Sequence, residues 1–264
     1  MDISKIDFSR YDVPQVLSVI FHPRPDYDYG GDADGSQVVM IPVEEGVEIG
    51  AKMHASSKDK PTILFFHGNG EIVSDYDDLG PFYARLGLNF FPVDYRGYGR
   101  SGGEPTITHM MRDAHQIFDF VKGWLEKEGF KGPIIIMGRS LGSASAIELA
   151  RRHQSDMGAL IIESGFASAG PLMALLGVRD KTLTGEGEFD NKYKMPDITI
   201  PTLIIHAEYD HIIPHSDGEA LYEKCGSEKK TFLTIYGANH NNLLQYGMED
   251  YMNAVRKIAR LTSA

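Results

Sequence analysis

Short runs of apolar residues recur along this chain, each followed by a polar, glycine-rich stretch. Thr62 to Phe66 (TILFF), Asn89 to Asp94 (NFFPVD), Pro133 to Gly138 (PIIIMG), Ala159 to Ser164 (ALIIES), Pro201 to Asp210 (PTLIIHAEYD) and Thr231 to Gly237 (TFLTIYG) all have this form. A short continuous apolar run reads as a strand buried on both faces, as in a parallel sheet. The segments between runs change period. From about Ile107 to Glu128, Met110, Met111, Ala114, Ile117, Phe118, Val121 and Leu125 recur at helical spacing, which predicts an amphipathic helix with that stripe against the core. DLGPFYARLG and the closing MEDYMNAVRKIARL also predict helices. Ahead of these, QVVMIPV and VEIGAKMHA flank Glu44-Glu45-Gly46, the pattern of a hairpin. Strands alternating with helices imply a largely parallel sheet with helices on both faces, in a single domain over residues 1–264.

Two stretches depart from this rhythm. Residues 1–37 are expected to be irregular and end in the loop-like DYGGDADGSQ. Residues 164–200 exceed the usual few-residue connection and read as a short lid at the carboxyl end of the sheet. Its Phe166, Leu172, Met173, Leu175 and Leu176 either line an apolar acyl pocket, with Phe166, Leu172, Met173 and Leu176 as the candidate set, or simply cover the sheet.

Charge and cysteine usage narrow the partners. Lys and Arg total 26 against 37 Asp and Glu, a formal charge of -11, and no Lys/Arg-rich run occurs. Nucleic acid and anionic membranes, which attract clustered positive charge, are therefore not expected partners. The one cysteine, Cys225, excludes an intrachain disulfide and fits a reducing, cytoplasmic compartment. It falls in YEKCGSEKK, which reads as a surface helix end without chemistry. The opening residues lack a signal-peptide pattern, and no apolar run is long enough to span a membrane, so a soluble protein is expected.

In open parallel sheets, ligands bind outside the carboxyl ends of the strands, so the residues just after each run carry the chemistry. They are His67-Gly68-Asn69-Gly70, Asp94-Tyr95-Arg96-Gly97, Gly138-Arg139-Ser140-Leu141-Gly142, Glu208-Tyr209-Asp210-His211 and Gly237-Ala238-Asn239-His240. A serine, an acid and a histidine thus share one edge. A serine hydroxyl needs a base to take its proton as it attacks, an imidazole can do so near neutrality, and a carboxylate behind it fixes its tautomer. G-x-S-x-G suits a sharp strand-to-helix turn, where glycines on either side of the serine admit close backbone approach. By itself the pentapeptide is a weak signal. Its position after an apolar strand, and the order Ser140, Asp210, His240 along the chain, make Ser140 the expected nucleophile.

Five motifs in this order, FFHGNG, DYRGYGRSGG, GRSLG, PTLIIHAEYDHIIP and GANHNNL, resemble those of the alpha/beta hydrolases from about Val38 onward. The likeness is to small single-domain esterases, monoacylglycerol lipase-like enzymes and the core of prolyl oligopeptidases. The resemblance implies an eight-stranded, mostly parallel sheet whose second strand is antiparallel. It also implies Ser140 as nucleophile, His240 as general base and acid, and Asp210 as its orienting carboxylate. The oxyanion hole would come from the backbone N–H groups of Leu141 and Asn69. The implied activity is hydrolysis of carboxylic esters or thioesters of a small-molecule acyl substrate through an acyl-enzyme, without cofactor or metal. Short-peptide hydrolysis, acyl transfer and non-catalytic small-molecule binding stand as alternatives.

Rival assignments attach to several residues. Glu163 also ends a run and is an alternative triad acid. His67 is expected to be structural. His206, Asp210, His211 and His215 mimic a metal cluster, but their spacing crosses a turn. Arg96 and Asp94 are expected to tie the glycine-rich turn together. Neither HGNG nor GRSGG matches a phosphate-binding loop, so nucleotide binding is not expected.

Overall fold

The computed structural model describes residues 2–26 and 36–262, and most of DYGGDADGSQ lies outside them. The chain divides into two compact units, Met1–Ile134 and Ile135–Ala264.

The first unit holds β1 (Gln37–Glu44), β2 (Val47–Met53), β3 (Thr62–Phe66) and β4 (Asn89–Val93). β1 and β2 form the expected antiparallel hairpin. β2 is antiparallel to β4, and β4 is parallel to β3, giving the order β1-β2-β4-β3. Every residue of β3 and β4 is buried, which is why their sequences are apolar without alternation.

Helix α1 (Pro14–Ile20) corrects the irregular reading of residues 1–37. Proline at the first helical position is pre-set for helix, and Val16 and Ile20, one turn apart, both face inward. α2 (Gly80–Arg85) and α3 (Ile107–Lys127) follow. All seven residues of the expected α3 stripe are buried. The Thr106 hydroxyl accepts from the His109 N–H, and Asp12 Oδ1 accepts from the Ile107 and Thr108 N–H groups, so the N-terminal segment helps to cap α3.

The second unit holds β5 (Ile134–Arg139) from its second residue on, β6 (Ala159–Glu163), β7 (Thr202–Ala207) and β8 (Lys230–Ile235), all parallel and in that order. Around them lie α4 (Ser143–His153), α5 (Ala169–Leu175), α6 (His215–Lys224) and α7 (Leu243–Arg260). Small residues Ser143, Ala144, Ser145 and Ala146 are fully covered at the start of α4. α7 bends at Gly247, where an added Cβ would lie 2.8 Å from Ile235 Cδ1, so glycine lets the helix close on β8. Cys225 is buried at the end of α6, with Sγ 4.0 Å from the Ile198 carbonyl, contrary to its surface reading; the polar neighbours in sequence misled because the helix ends against the Ile198 turn.

Candidate active site

Strand β5 delivers Ser140 onto a sharp turn. Ser140 has φ 51°, a left-handed conformation that an ordinary side chain adopts only when its surroundings hold it there. Those surroundings are close. A Cβ on Gly138 would stand 2.3 Å from the Gly142 carbonyl oxygen and 2.7 Å from Ala146 Cβ, so the first glycine of the pentapeptide is a steric necessity. The Ser143 hydroxyl donates to the Ser140 carbonyl at 2.6 Å and fixes the turn from the helix side. Ser140 itself is half-buried, open enough to meet a ligand.

Asp210 and His240 come from the loops after β7 and β8. Asp210 Oδ1 accepts from the backbone N–H groups of Ile212 (3.0 Å) and Ile213 (2.8 Å). Its Oδ2 lies 2.7 Å from His240 Nδ1, and a carboxylate there makes Nδ1 the donor. His240 Nε2 then faces the Ser140 hydroxyl at 3.0 Å as acceptor. Burial would raise the Asp210 carboxyl, but the hydrogen bond and charge of His240 and the two backbone donors outweigh it and hold Asp210 below its usual range. The three expected residues therefore stand in one hydrogen-bonded line, acid to imidazole to hydroxyl. Such a line lets an imidazole take the serine proton while the carboxylate stabilises the resulting charge.

Glu163 is occupied elsewhere. Its Oε1 accepts from Arg139 Nη1 at 2.8 Å and its Oε2 from the Tyr251 hydroxyl at 2.5 Å. His206 is closed to solvent and lies 3.5 Å from Asp210 Oδ2, with Nε2 2.9 Å from the Ile213 carbonyl. Burial lowers its pKa, which keeps it neutral beside the acid. His215 Nε2 lies 3.0 Å from Thr234 Oγ1. Among the described residues, no group of three or more His, Cys, Asp and Glu side chains is arranged to hold a metal ion.

Leu141 is the middle residue of the short helical turn Ser140–Gly142. Asn69 lies in the first unit, after β3. Its Oδ1 accepts from the His22 N–H (2.8 Å) and the Tyr98 hydroxyl (2.7 Å), and its Nδ2 donates to His22 Nδ1 at 2.7 Å. Burial raises the Tyr98 phenol, which therefore stays a donor. With the carboxamide tied back in this way, the loop's conformation is fixed by residues sequence reasoning passed over. Next to it, His67 is wholly buried, its ring nitrogens 2.7 Å from the Gly68 carbonyl and 3.2 Å from Asp94 Oδ1. Arg96 corrects its expected pairing. It grips Asp113 of α3 with Nε (2.7 Å) and Nη2 (2.9 Å) and Glu44 with Nη1 (2.6 Å), so it anchors the turn to α3 and β1 and not to Asp94. Sequence spacing hid this because Asp113 lies on a helix whose polar positions look solvent-facing.

The expected pocket residues divide between the core and the surface. Phe166, against the Phe189 ring at 5.6 Å, and Met173 are 1% and 0% exposed. Leu172 is half-buried, while Leu175 and Leu176 are exposed. Phe166 and Met173 are thus core, and the helical period explains the split: Met173 follows Ala169 by one turn on the inner face, whereas Leu172, Leu175 and Leu176 share the outer one.

Comparison with known proteins agrees with this architecture. The family model for serine aminopeptidase, S33, matches residues 57–183 and 190–245, reaching into both units. Human alpha/beta hydrolase domain-containing protein 17B is 33% identical over 234 residues, covering 85% of this chain and 76% of that protein. The esterase Pf2001 of Pyrococcus furiosus superposes with a TM-score of 0.71 at 17% identity, over 92% of this chain and 100% of the other. Est1E of Butyrivibrio proteoclasticus, solved with ferulic acid, gives 0.68 at 17% identity over 85% and 99%. No helix among the described residues is long and apolar enough to cross a membrane. The chain has the alpha/beta hydrolase fold and belongs to the serine aminopeptidase S33 family of hydrolases.

Proposed function

We propose that this protein is a serine hydrolase of carboxylic esters or thioesters, acting through Ser140, His240 and Asp210. The observation that carries this reading is the pair of distances at His240, 3.0 Å to Ser140 Oγ and 2.7 Å to Asp210 Oδ2. Ser140 attacks the carbonyl carbon as its proton passes to His240 Nε2. The imidazolium, held by Asp210, returns that proton to the leaving group, and an acyl-Ser140 remains. Water gives a proton to His240 Nε2 as it attacks the acyl carbonyl, the bond to Ser140 Oγ breaks to release the acid, and the imidazolium returns the proton to Ser140 Oγ. In both steps, negative charge on the carbonyl oxygen is met by the backbone N–H of Leu141. Leu172 and Leu176, on the outer face of α5, are the expected pocket residues left to meet an acyl chain. A cytoplasmic setting belongs to the same proposal.

Esters come first because similar structures are named as esterases and a monoacylglycerol lipase. A second reading, short-peptide hydrolysis, is favoured by the aminopeptidase description of the matching family. Turnover of p-nitrophenyl esters of increasing chain length, acyl-CoA thioesters and aminoacyl anilides separates the two. The expected result is ester turnover, absent in Ser140→Ala; anilides cleaved in preference to every ester would favour the second reading. No turnover of any class, with no labelling by a serine-directed reagent, would point to a binding protein.

A further inference from the structure

Arg139, the variable residue ahead of the nucleophile, has its guanidinium in the interior. Arg139, Glu163 and His240 are 9%, 7% and 4% exposed, and Tyr251 is 1% exposed. Arg139 and Glu163 are register partners at the ends of the parallel strands β5 and β6, so the sheet sets them side by side. Arg139 Nη1 donates to Glu163 Oε1 at 2.8 Å, and Nη2 donates to the main-chain carbonyl of His240 at 3.0 Å. The Tyr251 hydroxyl of α7 donates to the other Glu163 oxygen at 2.5 Å.

A buried charge is costly unless it is paired and hydrogen-bonded, and removing one partner of such a pair is strongly destabilising. For support of β5 and β6 alone, apolar side chains would serve as well or better. The extra element is the bond to His240. That loop belongs to a different strand, and the guanidinium ties its carbonyl to the backbone of the residue next to Ser140.

We infer that Arg139 is a positioning residue, which holds the His240 loop at hydrogen-bonding distance from Ser140 while Glu163 and Tyr251 hold Arg139. The inference rests on the proposed hydrolase reading and adds to it a role for the x in G-x-S-x-G. Arginine is required because a planar fork reaches two acceptors in fixed directions, whereas a lysine ammonium is a single point charge. Displacing a reacting group by about 1 Å can reduce turnover on the order of a hundredfold. The effect falls on kcat, because substrate contacts are untouched.

The test uses Arg139→Lys, which keeps the charge beside Glu163, and the double variant Arg139→Met/Glu163→Gln, which removes the charge from both. Three measurements are made: kcat and KM on the best ester, thermal midpoint, and the low-field proton resonance of His240 Nδ1–H. Both variants are expected to fold, with kcat about tenfold to a hundredfold lower and KM unchanged. The Nδ1–H resonance should broaden or shift, which a purely structural ion pair would not cause. Wild-type kcat and an unmoved resonance in both variants overturn the inference and leave the hydrolase reading standing. A wild-type protein that turns over no ester and is not labelled at Ser140 overturns the hydrolase reading itself.

Discussion

Two serines end neighbouring parallel strands with nearly the same strained backbone: Ser140 after β5 at φ 51° and Ser164 after β6 at φ 46°. Ser140 is half-buried and faces His240 Nε2 at 3.0 Å. Ser164 is wholly buried, and its hydroxyl has no hydrogen-bond partner among the described residues. The left-handed turn is therefore a property of how these strands end. What distinguishes Ser140 is the imidazole aimed at it and the carboxylate behind that imidazole.

The largest expected effects break the comparison at its chemistry. Ser140→Ala should lower ester turnover on the order of a millionfold, as loss of a triad nucleophile does, while Ser164→Ala leaves turnover at the wild-type level in the same assay. Asp210→Asn should lower kcat by about ten-thousandfold by spoiling the imidazole tautomer. Glu163→Gln, acting only through Arg139, should lower it far less, by no more than about a hundredfold. The reverse ranking in steady-state kinetics would move the triad acid to Glu163.

Smaller effects sharpen the comparison through stability. Gly138→Ala forces a Cβ against the Gly142 carbonyl, with a contact of 2.3 Å to relieve, and should destabilise by about 1–3 kcal/mol in urea unfolding. Ser164→Gly should stabilise by about 1 kcal/mol, since glycine accepts the left-handed conformation and the unpartnered hydroxyl is gone. Asp210 supplies a pH-dependent term. Its carboxyl is held below its ordinary value of 3.8 by the folded surroundings, so its contribution to stability is fully present above that value. It is lost as pH falls through the lower native value. The stability gap between wild type and Asp210→Asn, from urea titrations, should therefore be constant near neutrality and change only at strongly acidic pH.

Much of this was legible in the chain because it is written locally. Apolar runs marked the strands, the α3 stripe marked its buried face, and the order Ser140, Asp210, His240 marked the strand ends that meet. What stayed hidden depends on where a side chain points across long separations. Arg139 reaches His240, and Arg96 passes over its near neighbour Asp94 to take Asp113 and Glu44. Apolar character likewise could not divide Met173, which faces inward, from Leu175 and Leu176, which do not. Pro14, easily taken for a loop residue, begins a helix because its neighbours Val16 and Ile20 have a core to face.

The central claim, that Ser140 is the activated nucleophile, is tested most directly by treating the folded protein with a fluorophosphonate and mapping the adduct by peptide mass spectrometry. The expected result is one adduct per chain, on Ser140, absent from His240→Ala. An adduct on Ser164 or another serine, or none on a folded and active protein, would contradict it.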